Sequence, residues 1–125
     1  MVNGIFNALS GLRTSAGRLQ NSANNLANIE TSGFKKSTVT VGEAKSGGSQ
    51  LTSIRRVNVQ GDILLKGNLG ASPNGTILSS SFKISNVDIL KEMADQVTTQ
   101  VVFTSNAKIT DATDQIIGAI LDIKS

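Results

Sequence analysis

Apolar residues return along the first part of the chain at intervals of 4, 3, 4, 3, 4 and 3, as Ile5, Leu9, Leu12, Ala16, Leu19, Ala23 and Leu26. That spacing keeps one face of a helix apolar for about three heptads, which is the pattern of a coiled-coil seam. The positions between them are small and uncharged, with Asn7, Ser10, Thr14, Ser15, Gly17, Asn21, Ser22 and Asn24 where a solvated helix would carry Lys and Glu. Such residues let neighbouring helices approach closely, so they predict a second and third contact surface outside the seam. Gly4, Gly11 and Gly17 each weaken an isolated helix by roughly 1 kcal/mol relative to Ala. The helix is therefore expected to form only when packed. It should stop near Asn28–Gly33, where Glu30-Thr31-Ser32-Gly33 is turn-like and Gly33 can take a left-handed conformation.

A second long helix is predicted from Ser85 to Lys124. Ser85 followed by Asp88 reads as a capping-box-like start, and the acidic first turn suits the helix dipole. Val102, Ile109, Ile116 and Ile123 recur every seven residues, joined upstream by Leu90, Met93 and Val97. Thr98, Ser105, Ala112 and Ala119 make a companion row of small residues. At 1.5 Å per residue this helix would be roughly 50–60 Å long, a rod rather than a strut inside a globule.

Neither pattern continues through the middle. Ser37–Val41 alternates and is β-branched, and Ile54–Leu65 alternates intermittently, so both read as strands. Gly47-Gly48-Ser49 and Gly70–Gly75 read as flexible connectors. The fold class expected is mainly α, with long N- and C-terminal helices pairing as an antiparallel coiled coil around a small β-rich or irregular middle. The organisation expected is 1–34, 35–84 and 85–125, the two outer segments forming one domain.

Composition sharpens this picture. A chain of 125 residues has room for one modest core. Its aromatics are four Phe, and Trp, Tyr, His and Cys are absent, so a core must come from Ile, Leu, Val and Ala, as helix seams do. The lack of Cys removes disulfides, thiolate nucleophiles and Cys-based metal sites. Neither a membrane span nor the apolar core of a cleaved secretory signal is expected. The net charge of +3 is unevenly placed. Lys35, Lys36, Lys45, Arg55, Arg56, Lys66 and Lys83 make the middle basic, while Asp88, Glu92, Asp95, Asp111, Asp114 and Asp122 make the tail acidic. Opposed segments of this kind can align neighbouring subunits.

Enzymatic chemistry finds little support. There is no His base, no Cys nucleophile and no His or Cys metal cluster. Asp111 and Asp114 read as helix surface charge, and Gly67-Asn-Leu-Gly70 lacks the spacing of a phosphate loop. Lys35-Lys36 and Arg55-Arg56 have almost no aromatic stacking platforms nearby, which argues against nucleic acid. No cofactor and no metal are expected.

Two stretches go beyond periodicity. Residues 22–36 place Asn24, Asn25, Ala27, Asn28, Thr31, Gly33, Phe34 and Lys35 in an order that resembles the block ending the N-terminal helix in the bacterial flagellar rod and hook family. Residues 85–109 place Asn86, Val87, Asp88, Glu92, Met93, Gln100, Phe103, Asn106, Ala107 and Lys108 in an order similar to that family's C-terminal helix. The family often has Arg directly after the Gln, where this chain has Val101, and Ala where it has Ser105. The middle resembles the family only through Val59-Gln-Gly61 and Gly67-Asn68. The chain has no room for the large inserted domains of hook and distal-rod proteins, so by size it is similar to the small proximal rod subunits.

The resemblance implies a structural, non-enzymatic subunit of the basal-body rod. It would assemble with copies of itself and with paralogous rod and hook subunits into a hollow, torque-transmitting rod around the export channel. It also implies passage through the flagellar type III export apparatus without a cleaved signal, and a place in the periplasm-spanning rod. A non-axial flagellar scaffold or accessory protein reusing the rod helices is the alternative. The seam expected within the chain is Ile5, Leu9, Leu12, Leu19, Leu26, Leu90, Met93, Val97, Val102, Ile109, Ile116 and Ile123. The motif and subunit-contact residues expected are Asn24, Asn25, Ala27, Asn28, Thr31, Gly33, Phe34, Asn86, Asp88, Glu92, Gln100 and Asn106.

Overall fold

In the computed structural model, residues 2–59, 63–65 and 81–123 are described. The element order is α1 (Val2–Ala27), β1 (Ser37–Glu43), β2 (Ser49–Arg56), β3 (Ile63–Leu65), β4 (Ser81–Lys83) and α2 (Ile89–Asp122). The protein is mainly helical with a β-containing middle. The expected connector at Gly70–Gly75 lies outside the described residues, as do Gly67-Asn68 and the expected last helical residue, Lys124.

α1 and α2 hold 26 and 34 residues, about 39 and about 51 Å at 1.5 Å per residue. They run antiparallel. Ser22 and Asn25, near the end of α1, bond Glu92 near the start of α2. Gly11, earlier in α1, lies against Asn106, further along α2. α2 begins four residues later than Ser85 suggested. Its N-cap is Asp88, whose side chain accepts from the Leu90 and Lys91 backbone N–H groups. The Ser85 hydroxyl instead accepts from Val87 N–H and shapes the extended lead-in. Asp outcompetes Ser here because its carboxylate both satisfies orphan donors and meets the positive end of the helix dipole.

β1 and β2 form an antiparallel hairpin pairing Ser37 with Arg56 at one end and Glu43 with Ser49 at the other, with a bulge between Thr40 and Val41. The hairpin therefore begins earlier in its second strand than Ile54, and the expected Ile54–Leu65 strand is divided into the end of β2 and the short β3. The Gly47-Gly48 connector is an ordered turn. Ala44 N–H donates to Gly48 O, Gly47 N–H donates to Ala44 O, and both glycines have positive φ. β3 and β4 make a second antiparallel pair, Ile63 with Lys83 and Leu65 with Ser81.

The hairpin is docked along α1 by polar contacts. Ser10 Oγ accepts from Ser49 N–H, the Ser49 and Thr14 hydroxyls bond at 3.1 Å, and Asn21 Nδ2 donates to Ser37 O at 2.8 Å. Leu51 of β2 lies against Gly17. The small uncharged face of α1 is what the hairpin and α2 cover.

Burial corrects the expected seam. Among the described residues the buried side chains are Ala8, Thr14, Ser15, Ser22, Asn25, Ser85, Glu92 and Thr99. On α1, Ala8, Gly11, Ser15, Ser22 and Asn25 are themselves spaced as a heptad row, offset by one residue from the leucine row. The helices close on this small, polar row. Leu9, Leu90, Met93, Val97, Val102, Ile109, Ile116 and Ile123 are exposed, and Ile5, Leu12, Leu19 and Leu26 are half-buried. The physical reason is close approach: a Cβ built on Gly11 would stand 2.5 Å from Asn106 Nδ2, a contact that leaves no space for a Leu knob. No buried side-chain polar atom among the described residues lacks a hydrogen-bond partner, so this polar seam escapes the penalty of unpaired groups.

Candidate functional site

The densest constellation of side-chain bonds lies at the joint where α1 ends, the hairpin begins and α2 starts. Asn25 is 1% exposed. Its Oδ1 accepts from Ser37 N–H at 2.8 Å, and its Nδ2 donates to Ser37 O at 2.8 Å and Glu92 Oε1 at 3.1 Å. The amide thus pairs with one residue of backbone as a neighbouring strand would, and ties that backbone to α2. Ser22 Oγ adds a bond to Glu92 O at 3.3 Å.

Asn86 repeats the device on the other side of the joint. Its Oδ1 accepts from Lys36 N–H at 2.6 Å, and its Nδ2 donates to Val57 O and Val59 O at 3.0 and 2.8 Å. Its own N–H donates to Phe34 O. Lys35 Nζ also reaches Val59 O at 2.8 Å. Two side-chain amides therefore gather the backbones of residues 34–37, 57–59 and 86 between the helices.

The turn leading into the joint is built from the remaining Asn-block residues. Asn28 Nδ2 donates to Asn24 O at 2.9 Å, and Thr31 Oγ1 donates to Asn28 Oδ1 at 3.2 Å. Phe34 N–H donates to Thr31 O. Gly33 has φ +71, a left-handed conformation costing an L-residue roughly 1–2 kcal/mol. Phe34 is half-buried, while Asn24, Ala27, Thr31 and Gly33 face solvent.

The other expected residues have separate places. Asp88 caps α2, Gln100 is exposed, and Asn106 is half-buried against Gly11 with its Nδ2 bonded to Val102 O. The structure thus brings Asn25, Phe34, Asn86 and Glu92 together and leaves Gln100 and Asn106 along α2. Sequence reasoning missed Ser37, placed Ser22 only among the residues of a general contact surface, and valued Gly11 only as a weak point in the helix. The legible signal was the small-residue row itself, which carries the same heptad spacing as the leucines.

Residues 79–123 match the family described as flagellar basal body rod FlgEFG protein C-terminal. That match supports the resemblance to the flagellar rod and hook family over the C-terminal part of the chain. The match spans β4, the Asn86–Asp88 lead-in and α2, so half of the joint lies within it. No curated protein matches the chain. The match supports a structural role of basal-body-rod type, in the flagellar basal body, and association with other rod subunits; the matched family is structural and not known as enzymatic. None of the described helices is long and apolar enough to cross a membrane.

Proposed function

We propose that the chain is a self-assembling subunit of the flagellar basal-body rod, its terminal segments 1–34 and 85–125 acting as one structural unit. Within the assembly, the apolar rows of both helices form coiled-coil contacts between subunits, and the helix pair lines the export channel and carries torque. The observation that carries this reading is the inversion of the helix faces. The row closing the pair within one chain is small and polar, whereas Leu90, Met93, Val97, Val101, Ile109, Ile116 and Ile120 are each 49–77% exposed. Large apolar side chains left exposed along a helix in this number mark it as an interaction surface. Fully covering one such side chain contributes about 1.5–3 kcal/mol, so several together can drive ordered association.

Passage through the flagellar type III apparatus without a cleaved signal belongs to the same reading. A polar, glycine-bearing seam with few buried apolar side chains opens readily, which suits export in an unfolded state and folding upon assembly. Asn24, Asn25, Ala27, Asn28, Thr31, Gly33 and Phe34 would place the hairpin against the next subunit, with Asn86, Asp88, Glu92, Gln100 and Asn106 serving the α2 side.

Quantitative mass spectrometry of purified hook–basal bodies tests the proposal. Several copies per structure, retained through salt extraction, are expected. Absence there, with the protein recovered elsewhere in the cell, would replace the axial role with that of an accessory scaffold.

A further inference from the structure

An open groove of about 670 Å³ runs between the first turns of α1 and the hairpin. Phe6, Leu9 and Leu51 supply its apolar wall and Arg13 stands beside them. Phe6 is 62% exposed and Leu51 40%. Arg13 is exposed and makes no hydrogen bond or ion pair among the described residues. On the outer side of α2, Asp114, Gly118 and Leu121 fall at i, i+4 and i+7 and therefore share one face. All three are exposed, Leu121 at 66%, and Asp114 is also without a partner among the described residues.

The two surfaces match in spacing and in charge. Phe6 and Arg13 are seven residues apart on α1, and Asp114 and Leu121 are seven apart on α2, about 10 Å in each case. Laid antiparallel, the cation meets the carboxylate at one end while Phe6 meets Leu121 at the other, with Gly118 admitting the groove wall between them. Opposite signs meet at Arg13 and Asp114 when α2 of one copy faces α1 and the hairpin of another. Two α2 faces placed together would set Asp111 and Asp114 against their own kind, which is destabilising. Unlike surfaces joined in this way form a heterologous contact, which propagates from copy to copy.

We propose that this groove receives the last turns of α2 from a second copy of the chain, with Arg13 paired to Asp114 and Phe6, Leu9 and Leu51 covering Leu121. The inference rests on the self-assembly reading and names the contact that would carry it.

The test compares the assembly of purified wild-type chain with Arg13→Glu, Asp114→Lys and their equimolar mixture, by light scattering against concentration. Circular dichroism checks that each variant keeps its helix content. Each variant alone is expected to raise the concentration needed for assembly about tenfold, because like charges then meet in every contact. The mixture is expected to return to within about threefold of wild type, since alternating copies restore opposite charge at both contacts. Wild-type assembly with unaffected variants would overturn the groove contact while leaving self-assembly intact. So would variants that fail alone and also fail when mixed. A wild-type chain that does not assemble at any concentration would overturn both.

Discussion

The joint and the outer side of α2 are built on opposite principles. At the joint, Asn25, Ser37, Asn86 and Glu92 bury polar groups and satisfy them with hydrogen bonds whose geometry admits one arrangement. Along α2, Val97, Ile109, Ile116 and Ile120 leave large apolar side chains in solvent. In a protein that works alone the assignment would be reversed, with the leucine and isoleucine rows inside. Directional bonds fix the shape of this chain, and non-directional apolar surface is left over for association.

That contrast is broken most severely at Asn25. Asn25→Leu removes three hydrogen bonds and leaves Ser37 N–H and Glu92 Oε1 without the Asn25 partner, while Ser37 O keeps only Asn21 Nδ2, at about 1–3 kcal/mol for each group left unpaired. Loss of cooperative unfolding in urea is expected, read by far-ultraviolet circular dichroism. Gly11→Val comes next. A Cβ there meets the Asn106 side-chain amide, which must swing out of the helix contact at up to about 1–3 kcal/mol for overpacking, and the urea midpoint should fall accordingly. Gly33→Val follows at roughly 1–2 kcal/mol for its positive φ. Because nothing lies within 4 Å of that position, helix content should survive while incorporation into basal bodies declines. Ile116→Asp is expected to change the folded chain least, since Ile116 is already half exposed, yet it should abolish assembly measured by sedimentation.

Much of the fold was legible in the sequence. Heptad spacing marks α1 almost to its last residue, β-branched alternation marks β1, and Gly33 marks the turn. The Asn block was legible as a joint because Asn side chains so often bond backbone at chain reversals. The choice of seam was not legible. Ile5–Leu26 and Ala8–Asn25 are both heptad rows on α1, and apolarity alone favours the first. What favours the second is close helix approach at Gly11 and Ser22 together with Asn25 and Glu92, a pairing 67 residues apart in the chain. The start of α2 was misplaced because Ser85 and Asp88 are both competent caps, and their ranking depends on which of them meets a free N–H.

The absence of Cys from the chain permits a direct measurement of which face is inside. Ser22→Cys and Ile116→Cys place single thiols in the polar seam and on the apolar row. Their labelling rates would be compared in the free chain and in the assembled state. Cys at 116 should react rapidly in the free chain and at least about tenfold more slowly once assembled, while Cys at 22 reacts slowly in both, as thiol access dictates. Slow labelling at 116 together with fast labelling at 22 in the free chain would contradict the polar seam, and return the isoleucine row to the inside of the helix pair.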